Sequence, residues 1–364
     1  MHITQLRLNH FRNFSEATIK PSASFNLFYG LNGAGKSSVL EAIHILGYGR
    51  SFRTSKANTI IQNECEAATS FCKYSGVEGE QVLGATRSKS DGFMFNVNSE
   101  KTKRISDLAK VLPIQIFTPQ SSDLILGPPM LRRRFIDWLV FHVEHSFIHA
   151  SKSYMSALEQ RNALLKQMYK KGPAALSEQD VWSSIIARHG EIITGFRQRY
   201  LNALNAQLKA LYSEFKPDVE IDLRYNLGWD KDLSLQDALG AKTEKDLIRG
   251  STSSGPHKAD IQFLVNGKAA SEYLSRGQLR VLVSLLLIAE VRLLKEYTGK
   301  SCIFLVDDIA AELDVDTREF FLDTVVAEDA QVFVTAIEKD QLSFAAKYNN
   351  KKVFHVKHNR VQEE

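Results

Sequence analysis

The stretch Gly30-Leu31-Asn32-Gly33-Ala34-Gly35-Lys36-Ser37 constrains this chain more than any other, because it satisfies G-x-x-x-x-G-K-[ST] at every position. An apolar run, Phe25 to Tyr29, leads into it. From Lys36 to Leu46, the residues Val39, Leu40, Ile43 and Leu46 recur at helical spacing. Strand, glycine loop and helix is the context in which such a loop works. Glycines let successive N–H groups curl around β- and γ-phosphates, the helix directs its positive end at them, and Lys36 adds a point charge. Ser37 is placed to hold Mg²⁺, with Ser38 completing the binding loop. The expected ligand is ATP or GTP.

Composition bounds the rest. A chain of 364 residues has room for two domains or one domain with a large insertion. With 46 Lys and Arg against 42 Asp and Glu the net charge is only +4, so any nucleic-acid role must rest on local clusters. Three widely spaced cysteines, Cys65, Cys72 and Cys302, form no C-x-x-C pair and point to a reducing cytoplasm. The most apolar run, Val281 to Ala289, is too short to cross a bilayer.

The fold class expected is α/β, with the sheet lobe built from both ends of the chain. Residues 1–120 hold a first strand through Ile3, Leu6 and Leu8, the phosphate loop, and short antiparallel strands such as Gln81 to Thr86 and Phe93 to Val97. Residues 121–216 read as a helical insertion, Arg132 to Met168 and Val181 to Phe215, joined by a turn around Lys171-Gly172-Pro173. Residues 217–364 return to strands at Val219 to Leu223, Ile261 to Val265, Cys302 to Val306 and Gln331 to Thr335.

Two further motifs carry chemistry. Ile303 to Val306 delivers Asp307 and Asp308 at the carboxyl end of an apolar strand, where ligands of open α/β sheets sit. Asp307 is the expected magnesium partner, and Asp308 is placed to orient or deprotonate an attacking water. Leu274-Ser275-Arg276-Gly277-Gln278 opens a long apolar helix; Ser275 supplies an N-cap hydroxyl, Gly277 permits close approach, and the helix start wants an anion. Since one cradle is already present, this second loop is expected to close over a nucleotide held by another copy.

The three motifs, in this order and with a helical insert after the first, resemble the SMC-like ABC-type ATPases of chromosome maintenance and recombination. The resemblance is also carried by Leu6 to Phe14, Gly49-Arg50-Ser51-Phe52-Arg53, Gly127 to Asp137, Ser254 to Asp260, and Asp307 to Asp314. It implies an ABC-type ATPase head with a mixed sheet and a helical lobe. It also implies an ATP-dependent homodimer with two nucleotides sandwiched between copies, held on DNA gaps or single-strand/double-strand junctions and released by slow, DNA-dependent hydrolysis. Implied partners are the mediators RecR and RecO, with which such a protein helps load RecA. The signature serine maps to Ser275, with Gly277 and Gln278 also facing nucleotide, the catalytic acid to Asp308 beside Lys36, and the dimer-contact loop to Glu312-Leu313-Asp314.

Departures mark this chain. Lys258 and Ala259 stand where the resemblance leads one to expect Arg and Asp. Ala336 occupies the place of a switch histidine, leaving Thr335 as a candidate γ-phosphate contact. A glutamine that coordinates magnesium is either Gln115 or Gln120. Candidate DNA-phosphate contacts are Lys56, Lys101, Lys103 and Arg104, together with Arg132, Arg133 and Arg134. A small-molecule kinase would not need Ser275 to Gln278, and a transporter ATP subunit would carry an aromatic stacking residue ahead of its phosphate loop.

Overall fold

The structure is a computed structural model that describes residues 1–76, 79–171, 176–216 and 219–364. Chain contacts divide it into two compact units, Met1–Ser121 with Arg280–Glu364, and Ser122–Leu279.

The first unit holds two six-stranded sheets. One runs in the order Arg360–Glu363, Lys351–Lys357, Phe25–Tyr29, Gln331–Ala336, Ile303–Val306, Ile114–Phe117, parallel except for its antiparallel edge strand Arg360–Glu363. Its central strands are buried throughout, as their unbroken apolar sequences require. The other is wholly antiparallel, in the order Phe14–Ile19, His2–Phe11, Ala67–Gly76, Gly79–Ser88, Gly92–Val97, Glu100–Thr102.

The helix Lys36–Tyr48 shares one apolar cluster with both sheets. Its Val39, Leu40, Ile43 and Leu46 are fully buried with Leu6, Leu8, Leu83 and Phe95 of one sheet and Leu305 and Phe333 of the other. A helix apolar on most of its circumference has to be enclosed in this way. It ends at Gly49, whose φ of 63 lets the N–H close back on the Ile45 carbonyl.

The second unit is built on the helices Pro129–Val143, Phe147–Lys171 and Leu176–Phe215. One continuous helix from Arg132 was expected; the chain instead breaks at Glu144, whose carboxylate accepts from the Tyr200 hydroxyl at 2.8 Å and Arg199 at 3.1 Å. The turn expected at Gly172 and Pro173 lies outside the described residues. Ile221–Asn226, Asp260–Val265 and Lys268–Ala269 form a separate three-stranded antiparallel sheet in this unit. The sequence boundary at 216 therefore moves: residues up to Leu279 group with the helices. Arg161, fully buried, explains part of this grouping, since it donates to Asp246 and Thr252 at 2.8 Å and so ties a long helix to the segment after it. The helix Arg276–Thr298 then carries the chain back into the first unit.

Candidate nucleotide site and its relatives

Strand register gathers the first unit's chemistry. Tyr29 pairs with Ala336 and Val306 with Val334, so three parallel neighbours end within two residues of one another. Past those ends lies a cavity of about 720 Å³ lined by Lys36, Ser37, Asp307, Asp308 and Thr335.

The loop's glycines are not interchangeable. A Cβ on Gly30 would lie 2.2 Å from the Val356 carbonyl oxygen, and one on Gly35 2.7 Å from the Phe14 ring, with φ of 148 and 113. Gly33 faces open space, which leaves the concave side of the loop clear. Lys36 Nζ folds onto the Gly30 and Leu31 carbonyls at 2.6 and 3.1 Å, and burial lowers its pKa. At the helix start the Ser38 and Val39 N–H groups donate to the Gly35 carbonyl at 3.0 and 3.2 Å, which leaves the N–H groups of Lys36 and Ser37 for a ligand. Clear space, the open N–H groups of Lys36 and Ser37 and a buried ammonium fit a triphosphate.

Ser37 donates its hydroxyl to Asp307 Oδ1 at 2.9 Å. Thr335 donates to the same oxygen at 2.8 Å and accepts the Asp308 N–H at 2.8 Å. Burial pushes the Asp307 carboxyl up, against these two hydrogen bonds. A buried carboxylate oxygen beside a serine hydroxyl is a donor set suited to Mg²⁺, whose charge would offset that desolvation. Asp308 adopts φ 54, an uncommon backbone for a non-glycine residue, and Thr335 braces it there.

Thr335 thus has its hydroxyl committed to the two acids, and the expectation that it meets a γ-phosphate is replaced by this bracing role. Gln115 is removed from the magnesium question: it is buried, and its amide donates to Glu290 at 2.5 Å. Gln120, exposed just beyond the same strand, remains.

Sequence reasoning assigned no nucleotide contact to other cavity residues, among them Arg12, Asn13, Arg53, Gln62 and Asn359. Arg12 forks onto Glu41 at 2.9 and 2.6 Å, and Asn13 donates to Asn359 at 2.7 Å. The signal available was the turn Arg12-Asn13, where Arg12 has φ 55 between the paired residues Phe11 and Phe14.

In the second unit, Ser275 and Gln278 form a reciprocal cap: the Ser275 hydroxyl accepts from the Gln278 N–H at 3.3 Å, and the Gln278 side chain accepts from the Ser275 N–H at 2.9 Å. Ser275, Arg276, Gly277 and Gln278 are all exposed. Glu312 pairs with Arg280 at 2.6 Å and Asp314 caps the helix Val315–Ala327 through Thr317. Lys258 is exposed and Ala259 buried.

The basic candidates separate. Lys56, Lys101, Lys103 and Arg104 are exposed and have no ion pair among the described residues. Arg132 is buried, forked on Asp260 at 2.6 and 3.1 Å and bonded to the Ile125 and Gly127 carbonyls. Arg133 donates to the Ala259 carbonyl at 2.7 Å. Neither guanidinium is a free surface charge, so the expectation of DNA contacts there is corrected for Arg132 and Arg133; Arg134 is exposed. Asp137, on the same helix, is paired with Arg197 at 2.7 Å.

A P-loop between a parallel strand and a helix, paired acids at the end of the strand two places along the same sheet, an antiparallel side sheet and a helical unit leading into a serine-capped helix define an ABC-type ATPase head. Residues 2–362 match the RecF/RecN/SMC N terminal domain family. The DNA replication and repair protein RecF of Pseudoalteromonas atlantica is 45% identical over 364 residues, with all of both chains covered. That of Shewanella sediminis is 40% identical over 361 residues, 99% of each chain. The recombination mediator protein RecF solved with ATP, in the RecFOR pathway, superposes with a TM-score of 0.89 at 25% identity, covering 100% of this chain and 97% of that one. An Smc head bound to a domain of ScpA shares the fold, with a TM-score of 0.59 at 16% identity over 100% of this chain and 97% of that one. The chain belongs to the RecF family.

Proposed function

We propose that this protein is an ATP-gated DNA clamp for recombinational gap repair and replication restart, dimerising on ATP and releasing DNA on slow hydrolysis. The exposed Ser275 cap carries the reading: a signature-type anion site open to solvent is what a second copy's nucleotide needs. Kinship with DNA replication and repair proteins supports the DNA substrate.

Bound Mg–ATP supplies the phosphoryl group and the charge neutralisation for its transfer to water. Lys36 and the loop N–H groups would hold the phosphates, while Ser37 and Asp307 would hold the metal. Asp308 orients water, and a carboxylate one methylene shorter than glutamate positions it less well, which suits a timer more than a motor. Removing Asp308's carboxylate is expected to trap the ATP-bound dimer on DNA. RecR and RecO are the implied protein partners and RecA the protein loaded.

The deciding experiment is binding to gapped, single-stranded and blunt duplex DNA, with and without ATP, across a salt series. ATP-dependent binding that favours gaps and weakens steeply with salt is the expected result. ATP-independent or absent DNA binding overturns the reading.

A further inference from the structure

Beside the nucleotide cavity, in the same unit, lies a second pocket of about 560 Å³ whose walls include Arg50, Phe52, Arg53 and Phe93. Its aromatic walls are fixed. Phe52 meets His44 edge-on at 5.4 Å, and Phe93 stacks on Phe95 at 5.5 Å with the Arg87 guanidinium over its ring at 5.2 Å; both rings are half-buried against the core that encloses the phosphate-loop helix.

Its charge is uncommitted. Arg50 is exposed with no ion pair among the described residues, and Arg53 has only a 3.6 Å approach to Glu41. A Cβ on Gly49 would fall 2.7 Å from Ile105, so Arg50 sits beside the turn that carries exposed Lys103 and Arg104. Lys56 extends the same loop.

Two of the three hydroxyls lining the pocket are engaged within the loop: Ser51 donates to Glu41 at 2.5 Å and accepts from the Arg53 and Thr54 N–H groups, and Thr54 accepts from the Lys56 N–H at 3.0 Å, which leaves Ser55. Stacking surface plus guanidinium charge, with so little edge readout, is the chemistry of sequence-tolerant single-strand binding. A duplex keeps its base faces covered by neighbouring bases, so half-buried rings like these are reached only by a base out of the stack.

We propose that this pocket takes an unstacked nucleotide of single-stranded DNA, its base against Phe52 and the rim of Phe93 and its phosphates on Arg50 and Arg53. The inference rests on the DNA-clamp reading and names the part of a gap that the clamp reads. Because Arg53 also lines the nucleotide cavity, occupancy touches a side chain shared by both sites.

The test uses the full chain with ATP. Gapped DNA carrying 5-iododeoxyuridine in its single-stranded segment is irradiated and the crosslinked peptide mapped; Phe52→Ala and Phe93→Ala are titrated against gapped and blunt DNA, with Phe52→Tyr as the conservative variant. Expected are a crosslink at Phe52 or Phe93, an approximately tenfold loss of gapped-DNA affinity in each alanine variant, unchanged blunt-duplex affinity, and retention in Phe52→Tyr. Crosslinks elsewhere, or equal losses on gapped and blunt DNA, overturn the pocket's role while leaving the clamp standing. Competition by free deoxynucleoside monophosphate at the concentration of the DNA's own nucleotides also overturns it, since the site then prefers a free ligand. A wild type that binds no DNA fails the clamp reading itself.

Discussion

The Ser37 hydroxyl reaches Asp307 Oδ1 at 2.9 Å although 270 residues separate them in the chain. Parallel strand register brings them together, and burial then raises the Asp307 pKa. Because the folded carboxyl holds its proton more tightly than the unfolded one, stability falls as pH rises from about 4, the ordinary aspartate value, through the raised folded value. Above the raised folded value the full penalty stands. Asp307→Asn is therefore expected to raise the melting temperature of the nucleotide-free protein at pH 7, with the gain vanishing in acid, and to remove the Mg²⁺ dependence of ATP affinity. Thermal melts from pH 4 to 8, paired with nucleotide titrations with and without Mg²⁺, measure both. An unaltered Mg²⁺ dependence would take Asp307 out of the metal site.

What could be read from the sequence was what is local. The glycine loop is contiguous, and its strand and helix flanks fall where the structure has Phe25–Tyr29 and Lys36–Tyr48. Asp307 was legible because an apolar strand announces its own end. Periodicity carries no address, however: Ile261 to Val265 reads as a strand in any of the three sheets, and only its pairing with Ile221–Asn226 assigns it to the helical unit. Arg132 shows the same limit from the charge side. A run of three arginines reads as a patch until Asp260, 128 residues away, claims one of them.

Ser275→Ala is expected to bind ATP with wild-type affinity and to remain monomeric. The variant loses the hydroxyl that accepts the Gln278 N–H, but its helix and the whole first unit's cavity are intact. Loss of such a cap costs about 1 kcal/mol, too little to unfold a domain. Sedimentation velocity with Mg–ATP reads the outcome. A variant that dimerises like wild type would show that Ser275 does not complete a partner's site.

His44 and His257 each weaken their own unit in acid. His44 Nδ1–H donates to the Arg50 carbonyl at 2.9 Å, and burial drives its pKa down to about 4. His257 accepts from the Tyr154 hydroxyl at 2.6 Å and donates from Nε2 to the Thr252 carbonyl at 3.1 Å, with its pKa also lowered to about 4 by burial. Both folded values lie below the unfolded 6.5, so the contribution of each neutral ring is fully present above pH 6.5 and is lost as pH falls from there through about 4. Denaturant midpoints should drop across that window. Ring resonances of His44 and His257 titrating near 6.5 in the folded protein would contradict it.

Salt dependence separates the basic residues by role. Lys56, Lys101, Lys103 and Arg104 are exposed, and each one that neutralises a phosphate should contribute about 0.7–0.9 to the slope of log affinity against log salt. Arg132 is bound to Asp260 and to two carbonyls, so Arg132→Ala strands a carboxylate and two acceptors, a loss of roughly 1–3 kcal/mol in stability. The expected pattern is a shallower slope with unchanged melting for the four exposed residues, and a lower melting temperature with an unchanged slope for Arg132. If Arg132→Ala flattens the slope while melting like wild type, its pairing with Asp260 gives way to phosphate on binding, and the helix Pro129–Val143 joins the DNA-contacting surface.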